Sequence, residues 1–202
     1  MARSRKSHRP KLQSRLRKPS FRSRFTVILV AISLLFILLV VAYVYQFAQA
    51  RYYTVLGKPS ISAQFINRVL AWYDSPAAGK GQALYDDGVK YGIDPVYALA
   101  FFMHESRFAT TGVATVTHSL GNIRATAGHA QYQGYRIYRT WEEGFEDWYR
   151  LIAKLYVAQW GLSTVDQIVP VYAPSSDNND VAVYIAAVKQ AVDTWRSGLV
   201  EV

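Results

Sequence analysis

The longest apolar run of the chain lies near its N-terminus. Between Phe25 and Ala50 there is no charged residue, and the stretch from Val27 to Val44 is almost entirely Val, Ile, Leu, Ala and Phe. A helix of about 20 apolar residues spans the hydrocarbon core of a bilayer, whereas a buried globular helix would carry a polar stripe. We therefore predict a transmembrane anchor over residues 25–48.

Beyond this run, apolar positions recur at helical spacings between signals typical of helix ends. Ser62 is a candidate N-cap, and Gly92 is a candidate left-handed C-terminal glycine. The segment 170–180 is predicted to be a loop. Helices are predicted over 62–73, 81–91, 95–106, 140–160, 163–169 and 181–195.

The segment that begins at Asp94 and Pro95 differs from the other predicted helices. Asp followed by Pro is typical of an N-cap and a first helical turn. The run from Val96 to Met103 is apolar on nearly all sides, which indicates a helix buried by its neighbours. We expect a central helix that ends near Ser106.

Residues 107–139 have a different composition. They are rich in Thr, Gly, Ala and Tyr, and the segment 135–138 favours short strands. The pattern predicts a mainly α fold with a small irregular or β lobe, preceded by one transmembrane helix. The predicted divisions are a basic tail over 1–24, the anchor over 25–48, a stalk over 49–60 and a folded domain over 61–198.

The positive charge of the chain is concentrated in its first residues. The formal net charge is +9, but residues 1–24 hold seven Arg and three Lys without an acid, which leaves 13 basic and 14 acidic residues elsewhere. Basic residues stay on the cytoplasmic side of a membrane segment. The N-terminus is therefore predicted inside the cell and the folded domain outside. Apart from Phe21 the tail lacks interleaved aromatics, and we predict no nucleic-acid partner.

A cleaved signal peptide is the alternative to an anchor. Ala48-Gln49-Ala50 resembles the small-residue cleavage site of a secretory signal. The apolar region of such signals is shorter, about 7–15 residues. The length of the apolar run therefore favours an uncleaved single-pass anchor in the cell membrane.

Composition and spacing exclude or disfavour several kinds of chemistry. The chain has no cysteine, so it has no disulfide, no thiolate nucleophile and no cysteine-based zinc site. Its sequence contains no HExxH, GxSxG, P-loop or dinucleotide-binding motif. We predict neither a metal nor a cofactor. The four histidines are His8, His104, His118 and His129.

Glu105 is the leading candidate for a catalytic residue. It lies at the C-terminal end of the apolar helix, where desolvation and the helix dipole both disfavour a negative charge. A carboxyl group kept protonated in this way is the general acid that cleavage of a glycosidic bond requires. The alternative from position alone is a structural ion pair with Arg107 or another arginine.

Four blocks of sequence follow one another along the predicted domain. They are Tyr97–Thr110 around Glu105; Ser119–Arg124; Tyr135–Tyr138 with Trp141–Asp147; and Tyr172–Pro174 with Asp177–Asn179 and Tyr184. In this order the blocks resemble the bacterial glucosaminidase family of cell-wall hydrolases, over about residues 61–197. The resemblance implies a lysozyme-like domain that cleaves β-1,4 bonds at N-acetylglucosamine in peptidoglycan glycan strands.

The resemblance also implies roles for single residues. Glu105 would be the catalytic acid on a helix lining the sugar groove. Gly121 and Asn122 would lie near this cleft, and Tyr172 would face the reacting sugar. An Asn amide donates and accepts hydrogen bonds, which suits an acetamido group, and tyrosine rings suit pyranose faces, which also makes Tyr135 a candidate. The alternatives are a turn residue for Asn122 and packing aromatics for the tyrosines.

A second carboxylate is missing from the expected place. Glycosidases of the two-carboxylate type pair the acid with another Asp or Glu, yet the segment between Ser106 and Trp141 contains neither. The acidic residues nearby are interpreted as helix caps: Glu142, Glu143, Asp177 and Asp180. Three interpretations stay open: assistance by the substrate's acetamido group, a lytic transglycosylase in which Glu105 acts alone, and a cell-wall-binding protein without catalysis.

Overall fold

The computed structural model describes residues 21–202, so most of the predicted basic tail lies outside the described residues. The chain divides into two units, with the boundary between Phe47 and Ala48. The first helix, α1, runs from Phe21 to Tyr52. Its segment Ile28–Gln46 is long and apolar enough to cross a membrane.

Two observations indicate that α1 is suited to the apolar interior of a membrane. Its large apolar side chains are exposed rather than packed against protein. The hydroxyl of Ser33 donates a hydrogen bond to the carbonyl of Leu29 (2.9 Å), which satisfies a polar group that lipid could not. A signal sequence near an N-terminus has the same length and composition. The described chain thus carries one membrane-spanning or signal-like helix.

The second unit is mainly helical, as the sequence predicts. Its small sheet pairs β1 (Gln131–Tyr132) with β2 (Tyr135–Arg136) in antiparallel fashion. The helices are α2 (Ala63–Trp72), α3 (Gly81–Tyr91), α4 (Pro95–Ser106), α5 (Ala114–Thr117), α6 (Trp141–Arg150), α7 (Val165–Tyr172) and α8 (Val181–Arg196). A π-helix, Leu151–Gln159, continues α6, and a 3₁₀ turn, Ser175–Asp177, precedes α8.

Local signals account for several helix ends. The side chain of Ser62 accepts a hydrogen bond from the backbone N–H of Phe65 (3.2 Å), and Asp94 accepts one from Val96 (3.2 Å). Each contact satisfies a donor that the first helical turn leaves free. Gly92 follows α3 with φ of 69°, the left-handed conformation that glycine adopts without strain.

The segment after α1 was predicted to be a stalk, and this is wrong for residues 53–57. The backbone N–H of Val55 donates to Ser163 (2.8 Å), and the N–H of Asp94 donates to Val55 (2.9 Å). The side chains of Tyr53 and Val55 are buried. Because alternate side chains of an extended segment point the same way, this stretch contributes one face to the core.

α7 extends beyond the predicted end at residue 169. It continues through Pro170 to Tyr172, although a proline cannot donate its backbone hydrogen bond. The helix is held at its start by Gln167, whose side chain accepts from the N–H of Ser163 and Thr164 (3.0 and 3.2 Å). Tyr172 therefore lies in the last turn of a helix and not in a loop.

The central helix is α4, as predicted. The side chains from Val96 to Phe102 are buried, and α4 packs against α8 and α3. Its ring contacts include Trp148 of α6, whose centroid lies 5.5 Å from that of Phe101 and 5.3 Å from that of Phe102. The helix held in this aromatic core carries Glu105 in its last turn.

Candidate active site

Glu105 lies in the last turn of α4, half-buried in a cleft of about 430 Å³. This volume is typical of small-ligand sites. Three of the other predicted site residues, Asn122, Tyr135 and Tyr172, line the same cleft. The structure thus gathers residues from four separate parts of the chain around one carboxyl group.

A tight turn after α4 brings the segment 119–122 back to Glu105. Arg107, Phe108 and Ala109 all have positive φ, between 47° and 62°. The hydroxyl of Ser106 holds the turn, because it accepts from the N–H of Ala109 (2.9 Å) and donates to the carbonyl of Leu120 (2.8 Å). One buried serine hydroxyl thus links the turn after α4 to the segment that returns to Glu105.

Both carboxyl oxygens of Glu105 have hydrogen-bond donors. The hydroxyl of Tyr184 donates to Oε1 at 2.6 Å. The amide of Asn122 donates to the backbone carbonyl of Glu105 at 2.7 Å and more weakly to Oε2 at 3.4 Å. The carboxyl group is thus fixed in position, with Oε2 the less strongly engaged oxygen.

The sequence did not single out Tyr184 as a site residue. Tyr184 lies in the predicted helix 181–195, and the structure buries its side chain, which is 2% exposed, in α8. A hydroxyl on an otherwise apolar face is the one signal that could have found it, since a buried hydroxyl needs a partner. His104 covers the other side of this ring, with centroids 3.7 Å apart.

Burial raises the pKa of Glu105 above that of an ordinary glutamate. The hydrogen bonds from Tyr184 and Asn122 and the positive charge of Arg124 act in the opposite direction, and burial outweighs them. The position at the C-terminal end of α4 adds an unfavourable field for a carboxylate. Glu105 therefore keeps its proton to higher pH than an exposed glutamate does.

Asn122 and Gly121 occupy a turn whose geometry is closely determined. Asn122 has φ of 46°, and its buried Oδ1 has no hydrogen-bond partner within the part of the chain that the structure describes. A Cβ at Gly121 would lie 2.5 Å from Cδ1 of Trp148. Gly121 thus lets the backbone rest on the tryptophan ring, and Oδ1 of Asn122 is enclosed beside it.

Tyr172 and Tyr135 take different places in the cleft. The hydroxyl of Tyr172 donates to the carbonyl of Gly121, and its ring stands edge-on to Phe101 at 5.3 Å. Only part of this ring is left to contact a ligand. Tyr135 is half-buried, and the guanidinium of Arg124 lies 4.7 Å from its ring centroid.

The walls of the cleft differ in polarity. One side is apolar and comes mainly from the π-helix and the end of α7: Leu151, Leu155, Tyr156 and Val171. The other side is polar and comes from the small lobe and the turn before α8: Arg124, Thr126, Arg136, Asp177 and Asn179. Such a cleft suits a ligand that has apolar faces and many hydroxyl or amide groups.

The acidic residues interpreted as caps fall into two groups. Glu142 pairs with Lys80 (2.6 Å), and Glu143 pairs with Arg139 at the start of α6. Asp180 caps α8 through the N–H of Val183 (3.0 Å). Asp177 differs from these three, because it lines the cleft.

Among residues 21–202, no group of three or more His, Asp or Glu side chains is arranged to hold a metal ion. The sequence matches no protein-family model and no curated protein. A function for the chain therefore rests on the chemistry of the cleft residues themselves.

Proposed function

We propose that the chain is a membrane-anchored peptidoglycan glycosidase of the glucosaminidase family, with a lysozyme-like domain. Its reaction would be cleavage of β-1,4 bonds at N-acetylglucosamine. The observation that carries this proposal is Glu105, a half-buried carboxyl group with a raised pKa in the cleft. A protonated carboxyl group of this kind is what the departure of a sugar oxygen requires.

The contacts of Glu105 assign roles to its two oxygens. Oε1 accepts the short hydrogen bond from Tyr184, so the acidic proton belongs on Oε2. Asn122 holds the backbone of Glu105 and approaches Oε2 only loosely. The proton on Oε2 passes to the leaving glycosidic oxygen as the bond to the anomeric carbon breaks.

The remaining contacts favour an N-acetylated sugar. Asn122 lines the cleft, and an amide side chain, which both donates and accepts hydrogen bonds, suits an acetamido group. The half-buried ring of Tyr135 and the apolar side chains of the π-helix offer surfaces to pyranose faces and to the acetyl methyl group. The side chains of the cleft thus suit the hydroxyl, acetamido and ring surfaces of glycan strands.

The location follows from the basic tail and α1. Ten basic residues precede the apolar run, so the proposed topology places the N-terminus in the cytoplasm and the catalytic domain outside the cell. The tether confines cleavage to nearby wall, which suits remodelling.

A lytic transglycosylase is the second candidate, because a single acid can serve that reaction and the lobe 107–139 contains no Asp or Glu.

Product mass tests this proposal and separates the two candidates. We expect the full-length protein in detergent to release fragments from purified peptidoglycan that end in a reducing N-acetylglucosamine. Transglycosylation would instead leave anhydro sugars, lighter by one water. Mass spectrometry of borohydride-reduced fragments checks this, since only reducing ends gain hydrogen. Wall that stays intact at every pH and concentration tried would contradict the assignment.

Tyr184→Phe tests the positioning of the acid. The ring stays in place, but the hydrogen bond that lowers the pKa of Glu105 is lost. The pKa of Glu105 then rises further, so the alkaline limb of the pH profile of kcat/KM moves to higher pH. We expect kcat to fall roughly tenfold through poorer alignment.

Tyr53→Phe is the matched control for this change. It removes a tyrosine hydrogen bond of the same length, 2.6 Å to Asp193, among residues that do not line the cleft. Its pH profile should coincide with that of the unmodified protein. An unchanged alkaline limb in Tyr184→Phe would contradict the role given to Tyr184.

A further inference from the structure

A second carboxylate is present in the cleft, although the lobe expected to supply it has none. Among the described residues that line the cleft, the carboxyl groups are those of Glu105 and Asp177. Asp177 comes from the 3₁₀ turn Ser175–Asp177 that precedes α8. It therefore reaches the cleft from the opposite end of the domain sequence.

The contacts of Asp177 give it no evident structural task. Its backbone N–H closes the turn onto Pro174 (3.0 Å), while Asp180 supplies the cap of α8. Its carboxylate lies 3.5 Å from Nη2 of Arg124, and the two side chains are 45% and 64% exposed. Ion pairs this exposed contribute little to folding, so stability does not explain the placement.

Asp177 and Glu105 have different surroundings. Glu105 is half-buried and accepts hydrogen bonds from Tyr184 and Asn122, whereas the carboxylate of Asp177 is 45% exposed and lies 3.5 Å from the guanidinium of Arg124. Two carboxyl groups with such different surroundings in one cleft suit the separate roles of acid and base. Each also has its own partners, Tyr184 and Arg124 respectively.

On the basis of the proposed glycosidase function, we propose that Asp177 is the general base of the reaction. It would take a proton from a water molecule as the water oxygen bonds to the anomeric carbon. At the same time the bond to the leaving oxygen breaks, and that oxygen takes the proton of Glu105. One water is consumed, and the configuration at the anomeric carbon inverts.

Arg124 has a positioning role in this scheme. It pairs with Asp177, lies over the ring of Tyr135 and acts electrostatically on Glu105. It thus joins the small lobe to the turn before α8 across the polar wall of the cleft. Its guanidinium thus lies within reach of the carboxylate of Asp177, at 3.5 Å.

Asp177→Asn in the full-length protein tests the base. We expect kcat on soluble peptidoglycan fragments to fall about 100-fold, while KM changes much less. The melting temperature should stay that of the unmodified protein, since the carboxylate stabilises little. Asp166→Asn is the matched control, because Asp166 pairs with Lys189 outside the cleft (2.7 Å) and should leave kcat unchanged.

Two further measurements address the chemistry. Proton NMR of the first products should show the inverted anomer before mutarotation. Azide is an anionic nucleophile that can replace water and needs no base to remove a proton. Adding it to Asp177→Ala should therefore restore turnover and give a glycosyl azide detectable by mass. The same addition to Glu105→Gln should give no glycosyl azide.

The outcomes separate this inference from the function on which it rests. Full activity in Asp177→Asn together with an inactive Glu105→Gln would overturn the assignment of Asp177 as the base but leave the proposed glycosidase activity intact. The assignment of Asp177 would likewise be overturned by products of retained configuration, by anhydro products, or by azide that does not restore the activity of Asp177→Ala. No cleavage by the unmodified protein would overturn both proposals.

Discussion

A Glu105→Gln variant is expected to lose about 1,000-fold in kcat/KM on peptidoglycan, the largest effect of any single change in the cleft. Glutamine has the shape of glutamate and can still accept the hydrogen bond from Tyr184 through its amide oxygen. The change therefore removes the transferable proton and little else. Binding of glycan fragments should persist, which isothermal titration with purified fragments can measure.

The pH profile of the unmodified protein gives an independent check on Glu105. Because burial raises its pKa, the protonated, active form persists above the usual range of a glutamate. Activity should fall as the pH rises through this raised pKa. The small residual activity of Glu105→Gln should lack that limb, because no proton is lost from the amide.

Glu142→Gln is the matched control for this experiment. Glu142 forms an ion pair with Lys80 (2.6 Å), and a surface pair of this kind contributes little. Its clearing of peptidoglycan in a zymogram should equal that of the unmodified protein. Equal clearing by Glu105→Gln would remove Glu105 from the mechanism.

Trp148→Ala should cost about 3–5 kcal/mol of the free energy of unfolding. The side chain is fully buried and contacts Phe101 and Phe102 at the centre of the core. Its ring also supports the backbone at Gly121, where a Cβ would lie 2.5 Å away. The cavity therefore opens directly beneath the turn that carries Asn122.

Denaturant titration of the full-length protein, followed by near-ultraviolet circular dichroism, measures this loss. Trp72→Ala is the control, because Trp72 is 59% exposed and its removal creates no cavity. A loss below about 1 kcal/mol in Trp148→Ala would show that the core does not depend on this ring. Where enough protein stays folded, its kcat should also be lower, since the support of Asn122 is gone.

Local chemistry explains why much of the fold was predictable. The starts of α2 and α4 depend on Ser62 and Asp94, which bond to backbone groups two or three residues away. The burial of α4 follows from its own composition. Such features depend only on neighbouring residues, so they can be predicted from a short stretch of sequence.

Features that depend on distant partners were not predictable in this way. Val55 was assigned to a stalk because its partners, Ser163 and Asp94, lie far along the chain. Tyr184 has the spacing of a core residue, and nothing near it indicates that its hydroxyl meets Glu105, 79 positions away. Asp177 resembled a cap because polar residues before a helix usually are caps.

In the turn formed by Arg107, Phe108 and Ala109, some conformational stability is given up for a backbone that is held in one conformation. Left-handed backbone costs roughly 1–2 kcal/mol for each residue other than glycine, and burial of Phe108 and Ala109 offsets that cost. Glycine at these positions would relax the backbone, but it would also make more flexible the turn that Ser106 connects to Ala109 and Leu120. We expect strain in this turn to accompany a rigidly held Glu105, the proposed general acid.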